Sequence, residues 1–595
     1  MNWNTVFFVL IAVAYYMSLP KLMPSVVTTG KLNDSYDYII VGAGSAGSVI
    51  ASRLSEDADV SVLLLEAGGD YTENENFHIP LMALRLQKSE SDWIYYTVPQ
   101  KESHWGMVDN KSYWPRGKVL GGSSIYNTMQ YTRGNRYDYD EWAELGCEGW
   151  SYKDILPYFL KSEDMLIESL KSSKYHNTGG YLAVSSVGVT PIADVYLQAG
   201  MEMGYDIVDY NGEIQTGWSP MQATTRNGIR SSTSVEFLGR INGRSNLHIS
   251  VRSMATKINI ENKIAKGVYF IKDGRKMYIE ARKEVIVSGG TINSPQLLML
   301  SGIGPKEHLE SLGIDVEVDL PVGDNLQDHL LLFSSTNITE DIGITEEKVN
   351  SVQNKIKYQL FGTGLYAATG LDGNGFFCTL ETDQKKCAPD IQFLMLSLSL
   401  EHNMLNLKED VANEYLNRPG SIGFATVISL VDPKSVGSIR LKSSDPFDYP
   451  IIDPKYLTDR RDVDAYIRGL RLWEKYISTP AMRAIGANVK KMKLSFCLHH
   501  EFQSDAYWEC IVRHLAATVY HPAGTCKMGR SDDKTAVVDP QLRVKGIKNL
   551  RVADASIMPN VITGNTNAPV IMIAEKVSDM IRGRDTVQHL RRDDV

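Results

Sequence analysis

The run Tyr38-Ile39-Ile40-Val41 leads directly into Gly42-Ala43-Gly44-Ser45-Ala46-Gly47, and few backbone arrangements satisfy both halves. Successive apolar residues, three of them β-branched, read as a buried strand. The glycines read as a sharp turn into a helix. Gly42 permits the turn, Gly44 leaves bare backbone for a pyrophosphate, and Gly47 lets the helix pack close to the strand. Ser45 and Ala46 stand at the amide-rich helix start that faces the phosphates. A second apolar run, Val60 to Leu65, ends at Glu66-Ala67. That acid lies near the offset of about 20 residues at which a carboxylate grips a ribose hydroxyl. Strand, turn, helix, strand and acid in this order predict an α/β dinucleotide site.

With 595 residues, the chain exceeds the size at which a single core keeps growing, so two or more domains are expected. A formal charge of -9 argues against a polyanion-binding surface and a nucleic-acid partner. Val6 to Met17 is almost wholly apolar, followed by Ser18, Pro20 and Pro24. The run suits a signal-peptide core and falls short of the roughly 20 residues of a membrane span. Residues 1–24 are therefore expected to be a signal peptide, which implies a secreted protein. No Lys or Arg precedes Lys21, so an uncleaved anchor is the alternative, and only then is membrane contact expected. The sequons at Asn33, Asn110 and Asn337 suit a secreted glycoprotein. The six cysteines are too few for a disulfide scaffold. Cys378 with Cys387 and Cys497 with Cys510 are the local pairs expected in an oxidising lumen, with reduced buried thiols the alternative.

Glu284 to Val287 forms another buried-strand pattern and enters Ser288-Gly289-Gly290, a second strand-to-glycine junction. Leu550 to Asp554 reads as a short strand ending in an acid, and Val570 to Ile581 has helical apolar spacing. These parts are expected to rejoin the nucleotide domain, making it discontinuous in sequence. Between them, Ile391 to Leu396 and Gly423 to Leu430 read as strands and Asp462 to Ile477 as a helix. Alternation at Phe424, Thr426, Ile428 and Leu430 predicts an antiparallel sheet with one covered face.

Arg116-Gly117-Lys118-Val119-Leu120-Gly121-Gly122-Ser123-Ser124, followed by Asn127, is dense enough in glycine for backbone to touch a large planar ligand. Gly290-Thr291-Ile292-Asn293-Ser294-Pro295 runs on to Ser301-Gly302-Ile303-Gly304. These two segments resemble the two signature sequences of the glucose-methanol-choline (GMC) oxidoreductases, a flavin-dependent family, and its animal glucose-dehydrogenase-like and choline-dehydrogenase-like members in particular. The resemblance spans Tyr36 to Gly583 and includes Pro321 to His329 and Val552 to Ser556. It implies a Rossmann-like FAD-binding domain over residues 36–332, which includes some substrate-domain segments. A substrate domain built on an antiparallel sheet with helices over 333–519 and a carboxyl-terminal return over 520–583 complete it. It also implies that Arg116, Gly117, Val119, Gly121, Gly122, Ser123, Asn127, Asp554 and Ala555 join Gly42 to Gly47, Glu66 and Ala67 around FAD. Tyr126 departs from the family's usual aliphatic residue beside the flavin.

His521-Pro522-Ala523-Gly524-Thr525 is similar to the family's active-site histidine segment. Alcohol oxidation removes a hydroxyl proton as hydride leaves carbon, and an imidazole accepts that proton near neutrality. The group facing it is expected in Gly564-Asn565-Thr566-Asn567. An ungapped count favours Asn565 and a one-residue gap favours Asn567; an asparagine amide orients but cannot store a proton. His329 is expected in a structural or cofactor-contact role, and Trp93, Tyr95 and Tyr96 receive no site role. The expected function is FAD-dependent oxidation of a small alcohol, with oxygen or a quinone as electron acceptor. A cyanohydrin-cleaving lyase with structural flavin and a binding protein without catalysis are the alternatives.

Overall fold

The computed structural model describes residues 26–584 apart from 188–189, 381–382, 399–403, 418–419 and 490–493. The expectations for residues 1–24 lie outside the described residues.

The first sheet is built from the apolar runs. β1 (Ser35–Val41) turns into helix α1 (Ser45–Leu54), and β2 (Val62–Leu65) returns beside β1. After a long excursion the chain adds β3 (Leu247–Ser250), β4 (Ser253–Glu261), β5 (Ile264–Lys272) and β6 (Arg275–Val287), then helix α2 (Gly290–Leu300). The order is β3-β2-β1-β6-β5-β4. Ile39 pairs in parallel with Leu63 on one side and Val285 on the other. The parallel strands are buried because helices cover such sheets on both faces. Two strands, β1 and β6, therefore end side by side in glycine turns, at Gly42 and at Gly289-Gly290.

The second sheet comprises β7 (Leu330–Asn337), β8 (Leu371–Phe377), β9 (Ile391–Leu396) and β10 (Gly423–Leu430). Edge strands come from Gly217–Pro220 and Ala517–Thr518, and every pairing is antiparallel. The expectation of one covered face is corrected: every residue of β8, β9 and β10 is buried. Helix α3 (Arg460–Ile477) covers the face carrying Ile391, Phe393 and Trp218, with Tyr476 stacked on Trp218 at 4.5 Å between ring centroids. Register places Gln392, Leu394, Asn374, Val427 and Ser429 on the opposite face, which is turned toward the first domain. A sheet enclosed between a helix and a second domain has no solvated side, so alternation in polarity is replaced by burial throughout.

The chain then returns. β11 (Leu550–Val552) pairs in parallel with β6, Val552 opposite Val287, and helix α4 (Asn567–Arg582) packs on α1. The seam between these helices holds a buried ion pair. Glu575 receives Arg53 Nε at 2.8 Å and Nη2 at 2.7 Å, and Lys161 approaches at 3.3 Å. Removing one member of a buried pair strands the other charge. Glu575→Ala is expected to destabilise the protein by about 3–5 kcal/mol, read as a lower urea midpoint. An unchanged midpoint would mean that the seam is held by apolar packing alone.

Candidate active site

The turn after β1 has the geometry its glycines demand. Gly42 sits at φ 97°, where an L side chain is strained, and a Cβ there would lie 2.5 Å from the Ser288 carbonyl oxygen. A Cβ on Gly47 would lie 1.9 Å from the Gly42 carbonyl oxygen, whereas one on Gly44 would meet nothing closer than 4.0 Å. No side chain caps the start of α1 and its first turn holds no acid, so its amides are available to an anion. Glu66 lines the adjoining cleft; its Oε2 accepts from Ala43 N at 2.9 Å and its Oε1 from Gly68 N at 2.8 Å. Burial pushes its carboxyl up to about 7, opposed by those amides. Each carboxylate oxygen keeps a lone pair for a ribose hydroxyl. Open space at Gly44, an uncapped helix start and a carboxylate acceptor fit an adenine dinucleotide. Trp93, given no role from sequence, forms part of the same wall with Ala67, Gly117 and Gly289.

The second glycine loop closes on the first. Gly121 N donates to the Ala43 carbonyl at 2.8 Å, and a Cβ on Gly122 would lie 2.7 Å from Gly44 Cα. Gly117 N bonds Ser123 Oγ at 3.3 Å, Val119 bridges Gly69, and Asn127 Oδ1 accepts from buried Arg230 at 2.8 Å. Arg116 Nη2 bonds the carbonyl of Tyr520, next to His521, at 2.8 Å. Tyr126 lies buried in the same loop, and burial raises its phenol pKa.

His521 and Asn565 come together. Asn565 Nδ2 lies 3.2 Å from His521 Nε2 and donates to Gln130 Oε1 at 2.8 Å. Its Oδ1 accepts from Thr132 Oγ1 at 3.2 Å and from Gln392 Nε2 at 3.4 Å. With Nδ2 donating, Nε2 of His521 would be the unprotonated nitrogen of a ring protonated on Nδ1. His521 Nδ1 lies 3.1 Å from His329 Nδ1, so one of the two nitrogens carries the proton that the other accepts. Burial drives the His521 pKa well below its ordinary value, with His329 and Arg116 adding to the effect. Burial likewise takes His329 down to about 3.

The preceding residue holds the main chain. Asp328 Oδ1 accepts from His521 N at 2.9 Å, and Oδ2 accepts from Thr518 Oγ1 at 2.6 Å and from the Tyr456 hydroxyl. Burial raises the Asp328 carboxyl to about 6 against these bonds. The loop bearing Asn565 is gripped by Asp138 Oδ2, which accepts Thr563 N at 2.8 Å, and by Gln215 Nε2, which donates to Thr563 O at 2.9 Å. Gln130, Gln392, Asp138 and Gln215 were not found from sequence. Only Gln392 carried a signal, as the one polar residue within the run Ile391 to Leu396.

Asn567, weighed as a partner of the base, is not brought to His521. It opens α4, and its Oδ1 accepts from Ser45 Oγ at 2.7 Å, two residues on from Asn565 and beside the glycine turn. Asp554 was assigned to the cofactor, but its carboxylate is taken up by the protein. Oδ2 accepts from Gly290 N at 2.9 Å and Ser294 Oγ at 2.6 Å, and Oδ1 from Ser556 N at 2.8 Å. It joins the start of α2 to the segment after β11. Ala555 follows it, its carbonyl accepting from Gly524 N at 3.1 Å.

Residues 36–331 and 433–574 match the amino- and carboxyl-terminal GMC oxidoreductase family models. The chain belongs to the GMC oxidoreductase family. It is 41% identical to glucose dehydrogenase (FAD, quinone) of Drosophila pseudoobscura pseudoobscura, over 92% of this chain and 87% of that one. It is 38% identical to mitochondrial choline dehydrogenase of Mus musculus, over 96% and 93%. Its fold is similar to the crystal structure of pyridoxine 4-oxidase from Mesorbium loti, with a TM-score of 0.78 and 28% identity over 93% of this chain and 100% of that one.

In this GMC oxidoreductase the neutral state of His521 has a kinetic signature. A base whose pKa is lowered stays unprotonated until the pH falls below that value. The acidic limb of kcat/KM against pH is therefore expected well below about 6.5, the ordinary imidazole value. A limb at or above that value would contradict the assignment.

Proposed function

We propose that the protein is an FAD-dependent oxidoreductase that oxidises the CH–OH group of a small alcohol to a carbonyl, with His521 as general base. The reading rests on one observation: Nε2 of the buried His521 imidazole faces the Asn565 amide at 3.2 Å. FAD, when bound, supplies the acceptor for the hydride that leaves the carbinol carbon.

Gly44, the start of α1 and Glu66 would hold its dinucleotide portion, and the loop from Arg116 to Asn127 lies against that turn. His521 Nε2 takes the hydroxyl proton. Asn565 orients the hydroxyl oxygen through Nδ2 and, having no titratable proton, leaves His521 as the only base. Asp328 and His329 hold the main chain and ring of the base, and the enclosed face of the second sheet keeps water away. The dehydrogenase and oxidase names of similar proteins support redox chemistry over the lyase and non-catalytic alternatives. Quinone or oxygen is the acceptor class those names suggest.

His521→Ala is expected to lower turnover about 100- to 10,000-fold while the purified holoprotein keeps its flavin absorbance. Anaerobic addition of an alcohol substrate should bleach that absorbance in the parent enzyme. Full activity in the variant, or turnover with the flavin still oxidised, would sink the assignment.

The secretory route is part of the same proposal. Disulfides Cys378–Cys387 and Cys497–Cys510 suit an oxidising compartment, and Asn33, at the head of a sequon, is exposed. Protein from secreting cells is expected to gain mobility on endoglycosidase treatment, with a smaller shift for Asn33→Gln. Absence of any shift would argue against glycosylation.

A further inference from the structure

The face of the second sheet that meets Asn565 carries more hydrogen-bonding capacity than the protein itself uses. Gln392, on β9, reaches the site with one end of its amide: Nε2 donates to Asn565 Oδ1 at 3.4 Å and to Asn374 Oδ1 at 3.1 Å. The other end, Oε1, is buried and has no hydrogen-bond partner among the described residues. Two bonds separate the ends of an amide, so this acceptor lies within about 6 Å of Asn565 Oδ1. Register sets Ser429 of β10 directly opposite Gln392, and such pairs share a face with Cβ atoms about 4.5–5.5 Å apart. The Ser429 hydroxyl is likewise buried without a partner. Asn374 Nδ2, on β8, is a third such atom. The Tyr210 hydroxyl beside it is already engaged, accepting from Gln222 N at 2.9 Å and donating to Gln222 O at 3.3 Å.

Leaving a buried polar atom unpaired is destabilising, and most buried side-chain polar atoms in proteins are paired. Here three gather around the one side chain that braces Asn565, while the neighbouring positions on the same face are the apolar Phe376, Leu394 and Val427. The three atoms are an acceptor, a donor and a hydroxyl that is both. None is charged, so an ammonium or a carboxylate would find no opposite charge among them. Neutral hydroxyl groups, which donate and accept, match all three.

We infer that Gln392 is a specificity-determining residue and that the substrate is a polyhydroxylated alcohol. The inference rests on the alcohol oxidation proposed above. While His521 and Asn565 hold the reacting hydroxyl, Gln392 Oε1 accepts from a second hydroxyl of the same molecule, and Ser429 and Asn374 take further ones. Because the same amide donates to Asn565, a hydroxyl bound at Oε1 is fixed relative to the group that holds the reacting oxygen. A monohydric alcohol leaves these atoms unpaired, and a site built to hydrogen-bond a hydroxyl rejects the analogue that lacks it.

The test is anaerobic reduction of the holoenzyme's flavin by alcohols of rising hydroxyl count: 1-hexanol, 1,2-hexanediol, sorbitol and glucose. The kcat/KM for reduction is expected to be at least about tenfold higher for the better polyol than for 1-hexanol. Ser429→Ala should lower this polyol-to-hexanol ratio and leave the rate with 1-hexanol unchanged. Gln392→Met should slow reduction by every alcohol, because Asn565 loses a donor, and should lower the ratio about tenfold. The inference is overturned if 1-hexanol reduces the parent's flavin as well as the polyols do, or if both variants keep the parent's ratio; the oxidation itself then stands. It is also overturned if a crystal structure at saturating polyol shows water, and no substrate hydroxyl, on Gln392 Oε1 and Ser429 Oγ. Flavin that no alcohol of the series reduces would sink the oxidation, and the inference with it.

Discussion

The contact between two glycine turns, backbone against backbone, underlies the rest of the site. Gly44 and Gly122 approach so closely that a methyl group on the latter would collide with the former's Cα. The amide of Gly121 closes the junction on Ala43. Residues with side chains would separate the two loops and admit water to the uncapped start of α1, weakening its hold on an anion. The junction also sets the catalytic frame. Ser45 in the first turn bonds Asn567, two residues after the amide that faces His521. The glycine turn and the amide facing His521 are thus tied through one short piece of backbone.

The charge state of the base follows from what surrounds its ring. A carboxylate against an imidazole favours the charged form, but the nearby carboxylate, Asp328, is committed to the His521 main chain, Thr518 and Tyr456. The ring meets another buried imidazole instead. Two enclosed rings with no facing acid are both held neutral, and the second nitrogen of His521 meets the Asn565 amide. Asp328 and His329, adjacent in sequence, hold backbone and ring respectively.

Local signals were legible where one residue's chemistry sufficed. Glycines 42, 44 and 47 each have a steric reason visible in the turn they form, and β2, β9, β10 and the carboxyl-terminal ends of β1 and β6 coincide with apolar runs. The one-sided sheet was misread because alternation describes a single sheet, whereas here a helix and a second domain enclose both faces. At Asp554 an acid after a buried strand can face a ligand or cap a helix, and its carboxylate accepts both from Ser556 N just after it and from Gly290 N, 264 residues earlier. Trp93 was passed over because a large aromatic in a cleft wall resembles one in a core.

From sequence alone came the dinucleotide turn, the discontinuous nucleotide domain, the flavin-dependent family and the histidine to examine. Each depends on short-range patterns that backbone sterics impose wherever they occur. Tertiary structure decided between Asn565 and Asn567 and oriented the amide through Gln130, Thr132 and Gln392. It also enclosed the His521 ring, and that burial holds the imidazole neutral. These depend on distances between segments hundreds of residues apart, and hydrogen-bond direction and desolvation exist only once those segments have met.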